Sequence, residues 1–194
     1  MRLRLTTWTS RLLAALLLAA GCQAQLPEDL RRRFEKADRD IVRLPPSAFP
    51  ELPGNLAAEL QRRSCSIPQA FPEKRHNVIR GQFAKPGQTD WAVLCSVNGV
   101  STILVFWNAS ERNPAEIARL ADRDRLQGAG GDTIVYSRAI SAAGKSFILE
   151  HYRAYGGPQP PPLDHQGIDD AFVEKASVVL YFHQGKWLTL TGAD

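Results

Sequence analysis

The chain has 194 residues, 44% hydrophobic and 23% charged, an ordinary globular composition with room for one domain and a genuine core. Its formal charge is +4, but Arg2, Arg4 and Arg11 precede residue 22 and no acid does, leaving 21 bases against 20 acids in the rest. A near-neutral chain lacks the clustered basic face of a nucleic-acid binder, so no nucleic-acid partner is expected.

The first elements form a leader. Met1 to Arg11 is positively charged, Leu12 to Ala20 is an apolar run, and Ala19-Ala20-Gly21 supplies small residues before Cys22. This order is that of a secretory signal, and the run is too short for a bilayer span of about 20 residues. Leu18-Ala19-Ala20-Gly21-Cys22 resembles the lipobox of bacterial lipoproteins, with Ala19 where that family prefers a leucine-like residue. The resemblance implies cleavage before Cys22, a diacylglycerol on its thiol, and a membrane partner reached through that anchor. Cleavage after Ala24 is the rival reading. The expected location is the periplasm or outer cell envelope.

Cysteine parity bears on the same point. If Cys22 carries lipid, Cys65 and Cys95 remain as a pair, and thiols outside the cytoplasm tend to be oxidised. A Cys65–Cys95 disulfide closing about 30 residues would stabilise the fold by roughly 3–4 kcal/mol. Two buried free thiols are the alternative.

After a tether at 22–27, residues 28–63 read as a helical segment. Leu30, Phe34, Ala37 and Ile41 recur at helical spacing over 28–43, opposite a mixed charged face. Residues 44–54 are proline-rich and irregular, and Asn55 is a candidate cap for a short helix over 56–63. Residues 64–194 read as an antiparallel β-rich domain. Two apolar runs flank Asn98-Gly99, a strong hairpin signal, and both faces of Asp90 to Trp107 are apolar, which predicts central strands covered on both sides. The two-residue turn sets Val97 against Val100, Cys95 against Thr102, Val93 against Leu104 and Trp91 against Phe106. Thr133 to Ile140 and Ser146 to Tyr152 read as a further strand pair. Residues 168–176 read as one or two helical turns, and 177–183 with 186–191 as a hairpin through Gln184-Gly185. The whole is α+β: N-terminal helices followed by a mainly antiparallel sheet, sandwich-like or helix-covered, in one domain after a signal at 1–21.

Val78 to Leu94 resembles a single degenerate FG-GAP repeat, on Gly81, Phe83, Gly87, Asp90, Ala92 and Val93. In that family the loop's acids and asparagine bind calcium and several blades build a propeller. Here Gln82, Ala84 and Pro86 stand where oxygen ligands would be, and calcium takes six to eight oxygens. The resemblance implies a strand–turn–strand unit.

The richest polar cluster is Glu150-His151-Tyr152 with Tyr155, then Asp164-His165 and Asp169-Asp170. Read as a strand, 146–152 puts Glu150 and Tyr152 on one face and His151 on the other. Neither Gly-x-Ser-x-Gly nor Ser-x-x-Lys is present, and no motif asks for a cofactor. His151, His165 and Asp169 are the candidates for a metal-assisted hydrolase, at a spacing that fits no known template. The plain alternative is a solvated loop with Asp169 or Asp170 as a helix N-cap. Tyr152, Tyr155, Asp164, His165 and Asp170 form the candidate binding surface. With Phe172 and Trp187 beside the Pro158–Pro162 loop, they suit an envelope protein or glycan partner. The preferred expectation is a non-catalytic, lipid-anchored binding module.

Overall fold

The computed structural model describes residues 27–70 and 74–193. The leader, the lipobox-like segment and Cys22 lie outside the described residues. In chain order the elements are α1 (Glu28–Arg39), β1 (Arg43–Leu44), α2 (Gly54–Arg62), β2 (Ile67–Pro68), β3 (Val78–Gly81), β4 (Asp90–Val97), β5 (Val100–Phe106) and β6 (Ala115–Ala121). They continue with β7 (Leu126–Gly128), β8 (Ile134–Tyr136), β9 (Arg138–Ala143), α3 (Lys145–Tyr155), β10 (Gly167–Phe172), β11 (Ala176–His183) and β12 (Lys186–Thr191). Two four-stranded antiparallel sheets dominate, ordered β3-β4-β5-β6 and β9-β10-β11-β12; β1-β2 and β7-β8 are small ribbons.

The fold is α+β, arranged helix–sheet–sheet–helix. Between the sheets, Ala92, Leu94, Ile103 and Val105 meet Ile140, Ile168 and Leu180. On the outer face of the first sheet, Trp91, Val93, Cys95, Leu104 and Phe106 pack beneath Leu56 and Leu60 of α2. On the outer face of the second, Ala143, Val179, Tyr181 and Leu190 pack beneath Ile148 of α3 and Leu163. Burial on both faces explains why β4 and β5 read as almost continuous apolar runs. Each fully buried Leu, Ile or Phe contributes about 1.5–3 kcal/mol.

The hairpin registers follow from local chemistry. Val97 pairs with Val100, Cys95 with Thr102, Val93 with Leu104 and Trp91 with Phe106. Asn98 and Gly99 have φ of 51° and 75°, the positive values a type I′ turn needs. Gln184 and Gly185 repeat this at 50° and 78°, which sets Phe182 against Trp187 and Tyr181 against Leu188. Cys65 and Cys95 are disulfide-bonded, with Cα atoms 5.1 Å apart. The bond ties the chain just after α2 to the middle of β4.

Four expectations are corrected. Residues 146–152 are not a strand but the heart of α3, so the helices do not all precede the sheet. Phe147, Ile148, His151 and Tyr155 fit helical spacing, and a short apolar run cannot decide between helix and strand by periodicity alone. Gly156, at φ 74°, ends the helix. Residues 167–172 form the strand β10 in place of helical turns. Thr133 to Ile140 is split between two sheets, as β8 and β9. Asn55 does not cap α2, because Pro53 holds that position; its side chain donates instead to the Ala109 carbonyl at 3.0 Å and to Glu111 at 2.7 Å.

One side of the sandwich is stitched shut. Asn77 is fully buried at φ 71°. Its side chain accepts from the Ile140 amide at 2.9 Å and donates to the Arg138 carbonyl at 3.2 Å, while its own carbonyl accepts from Leu94. These bonds join β4 and β9 beside β3. The remaining outer strands of the two sheets are β6 and β12.

Candidate functional site

The outer face of the second sheet gathers most of the polar residues singled out in the sequence. Its roof is α3, whose turns carry Phe147, His151 and Tyr155 on one stripe. The His151 ring lies 4.1 Å from Phe147 and 6.1 Å from Tyr155. Its Nδ1 sits 2.8 Å from the Phe147 carbonyl, which can only accept, so the ring N–H lies on Nδ1. Tyr152 is half-buried and Tyr155 exposed on the same helix.

Beside the helix, the proline-rich loop returns across the sheet. Buried Leu163 pins it. The Asp164 amide donates to the Tyr181 hydroxyl at 3.2 Å, and that hydroxyl donates to Asp164 Oδ1 at 3.2 Å. The His165 ring stacks on Tyr181, with centroids 4.3 Å apart and planes 3° from parallel. His165 Nδ1 contacts the Gln166 carbonyl at 2.9 Å, and Nε2 is 3.8 Å from Asp164 Oδ1. Burial pushes the Tyr181 hydroxyl pKa up, against hydrogen bonds with the loop backbone that lower it. The Gln166 side chain accepts from the Gln82 amide at 3.0 Å, joining this loop to the first sheet.

Asp169 lies opposite Val179, so it faces α3. It is 8% exposed, and its Oδ1 has no hydrogen-bond partner. Burial raises its carboxyl pKa above the ordinary range, and Asp170 adds to that; the Ser177 hydroxyl and His151 pull it down. The structure thus brings His151 and Asp169 into one electrostatic neighbourhood, while His165 stands on Tyr181. Among the described residues, no group of three or more His, Cys, Asp or Glu converges closely enough to hold a metal ion. Among the same residues, no hydroxyl or thiol is bonded to either imidazole.

Asp170 points the other way. It lies opposite Ile140 in the layer between the sheets, where the Arg138 guanidinium donates to both its oxygens at 2.8 Å. Phe172 stands at the far end of β10 beneath the cations of Arg125 and Lys175, 5.2 and 4.6 Å from its ring centre. Trp187 packs with Trp107 and Phe182 at centroid distances of 5.8 and 5.4 Å. The aromatics named together in the sequence therefore belong to separate places.

The loop that resembles an FG-GAP unit joins β3 to β4 and wraps around one carboxylate. Asp90 is fully buried. It accepts from the amides of Phe83 at 2.8 Å, Ala84 at 3.0 Å and Asn108 at 2.8 Å, and from the Gln88 side chain at 2.7 Å. N–H donors fill its lone pairs, the role a bound cation plays in an oxygen-lined loop.

No protein-family model, curated protein or solved structure matches the chain. Sequence reading missed the Tyr181–Asp164–His165 arrangement, because Tyr181 read only as a cross-strand partner. Its fold-back signal was the rigid Pro160-Pro161-Pro162 run before Leu163.

Proposed function

We propose that this chain is a non-catalytic binding module of the cell envelope, exported by its leader and anchored through lipid on Cys22. Its ligand-facing surface is the α3 side of the second sheet, with Tyr152, Tyr155 and Asp164, while the His165 ring is 5% exposed and stacked on Tyr181 behind them. The observation that carries the reading is the Cys65–Cys95 bond. It belongs to an oxidising compartment, and it leaves Cys22 as the odd cysteine, free for modification. No described helix is long and apolar enough to cross a membrane, so the anchor would be the lipid. Aromatic rings bordered by the exposed Asp164 carboxylate suit a protein or glycan contact. A metal-assisted hydrolase using His151, His165 and Asp169 has less support, since these three do not converge.

Intact mass of the membrane-extracted protein tests the anchor. The expected species starts at Cys22, carries acyl chains there, and lacks the two hydrogens lost in the Cys65–Cys95 bond. A chain starting after Ala24 overturns the anchor. For the surface, the immobilised protein is challenged with envelope extract beside a Tyr155→Ala variant, which changes an exposed ring. A partner held by the parent and lost by the variant supports the reading; equal retention by both, or no partner, counts against it.

A further inference from the structure

We infer that the β12 edge is a strand-pairing surface for a second copy of this chain, with β12 of each copy antiparallel about a two-fold axis at Leu188. The first observation is a contrast among the four outer strands of the two large sheets. β3 and β9 lie on the stitched side of the sandwich, held by Asn77. β6 is an edge, but a defended one. Its register shifts at a bulge, Ala118 sits at φ 51°, and the Ala118 carbonyl is taken by Arg138 at 2.6 Å. Glu116 and Arg119 are exposed along it. Bulges and charges are the usual devices that keep an edge from pairing. β12 has neither: it is regular through Lys186–Thr191, and its one charge stands at its start.

The second observation is the hydrogen-bond phase. The two-residue turn at Gln184-Gly185 makes His183 and Lys186 a mutually bonded pair, and bonded pairs then alternate. Lys186, Leu188 and Leu190 therefore bond inward to β11, while Trp187 and Thr189 turn their N–H and C=O groups outward. Among the described residues no hydrogen bond reaches those outward groups. Farther along, the Thr191 hydroxyl donates to the Gly156 carbonyl at 2.6 Å, so the open stretch is short and centred on Leu188.

That stretch is self-complementary. About an axis at Leu188, Trp187 of one copy faces Thr189 of the other, and each such pair exchanges both hydrogen bonds. Leu188 meets Leu188. Lys186 falls opposite Leu190 of the second copy, so the two lysines stand at opposite ends and like charges do not face. The contact is isologous and closes at two copies. It would merge two four-stranded sheets into one of eight.

The test is sedimentation of the purified chain at rising concentration, with amide hydrogen exchange read at Trp187 and Thr189. The expected result is a shift to twice the monomer mass, with both amides protected in the dimer. Thr189→Pro removes an outward N–H that β11 does not use, and edge strands tolerate proline there. This variant should stay monomeric and unfold cooperatively. A monomer at every concentration overturns the inference, as does a dimer that survives T189P. If T189P does not fold, exchange in the parent decides: a dimer whose Trp187 and Thr189 amides exchange freely overturns it. Protection that appears only when a foreign extended peptide is added also overturns self-pairing. None of these outcomes depends on export or on lipid at Cys22.

Discussion

Asp90 and Asp169 are both buried carboxylates, with opposite consequences. Asp90 organises the turn between β3 and β4 by accepting four N–H groups. Asp90→Ala would orphan buried donors at about 1–3 kcal/mol each, so a loss of at least 3 kcal/mol is expected in urea unfolding. Asp169 keeps one oxygen unpartnered, and burial raises its pKa in the folded chain. A raised carboxyl contributes stability while protonated, and that contribution is lost as pH rises through the folded value. Asp169→Asn should therefore raise the urea midpoint near neutral pH and flatten its fall as pH rises above the ordinary carboxyl range. A variant with the parent's pH profile would show that Asp169 is not the group responsible. Of these details, the sequence displayed only that Asp90 precedes an apolar run. Its partners are backbone amides of residues 83, 84 and 108, and a backbone amide has no sequence signature.

At the scale of elements, the two hairpins and the first two helices were legible, and α3 and β10 were not. Asn98-Gly99 and Gln184-Gly185 specify turns whose conformation sets the register on each side, so pairing could be written down residue by residue. The segment 145–155 carried no comparable punctuation until Gly156, and it was read in the wrong state. β10 failed for another reason. Two adjacent aspartates disfavour a buried strand, and only Arg138 and the α3 side make room for them. β10 is also tightly fitted at its start. A Cβ on Gly167 would stand 2.6 Å from Val179 Cγ1 and 3.1 Å from the Leu180 carbonyl. Gly167→Ala should cost about 1–3 kcal/mol as overpacking and shift the Tyr181 and His165 resonances. A variant as stable as the parent would mean that β11 yields freely.

For the molecule as a whole, the two sheets are joined by more than apolar contact. Arg138 is 1% exposed; it pairs with Asp170 on its own sheet and donates to the Ala118 carbonyl on the other. Arg138→Met leaves a buried carboxylate uncompensated and should cost about 3–5 kcal/mol. The double variant Arg138→Met with Asp170→Leu should recover most of that loss, because an apolar pair of similar volume needs no charge partner. Equal losses in the single and double variants would show that the Ala118 bond, and not the ion pair, is what matters. The disulfide acts at the same scale. It closes a loop with a sequence separation of 30, worth about 3–4 kcal/mol through the unfolded chain.

The α+β class, the central hairpin with its register and the C-terminal hairpin were all present in the sequence, and the Cys65–Cys95 pairing was there only on the condition that Cys22 carries lipid. All of these rest on short-range geometry or on counting. Only the tertiary structure decided that 145–155 is a helix roofing the second sheet, that Asp170 is sealed between the sheets while Asp169 faces α3, and that β12 is left with an open edge. Each of those depends on which face meets which partner, and burial is a property of the packed assembly that no local run of residues carries.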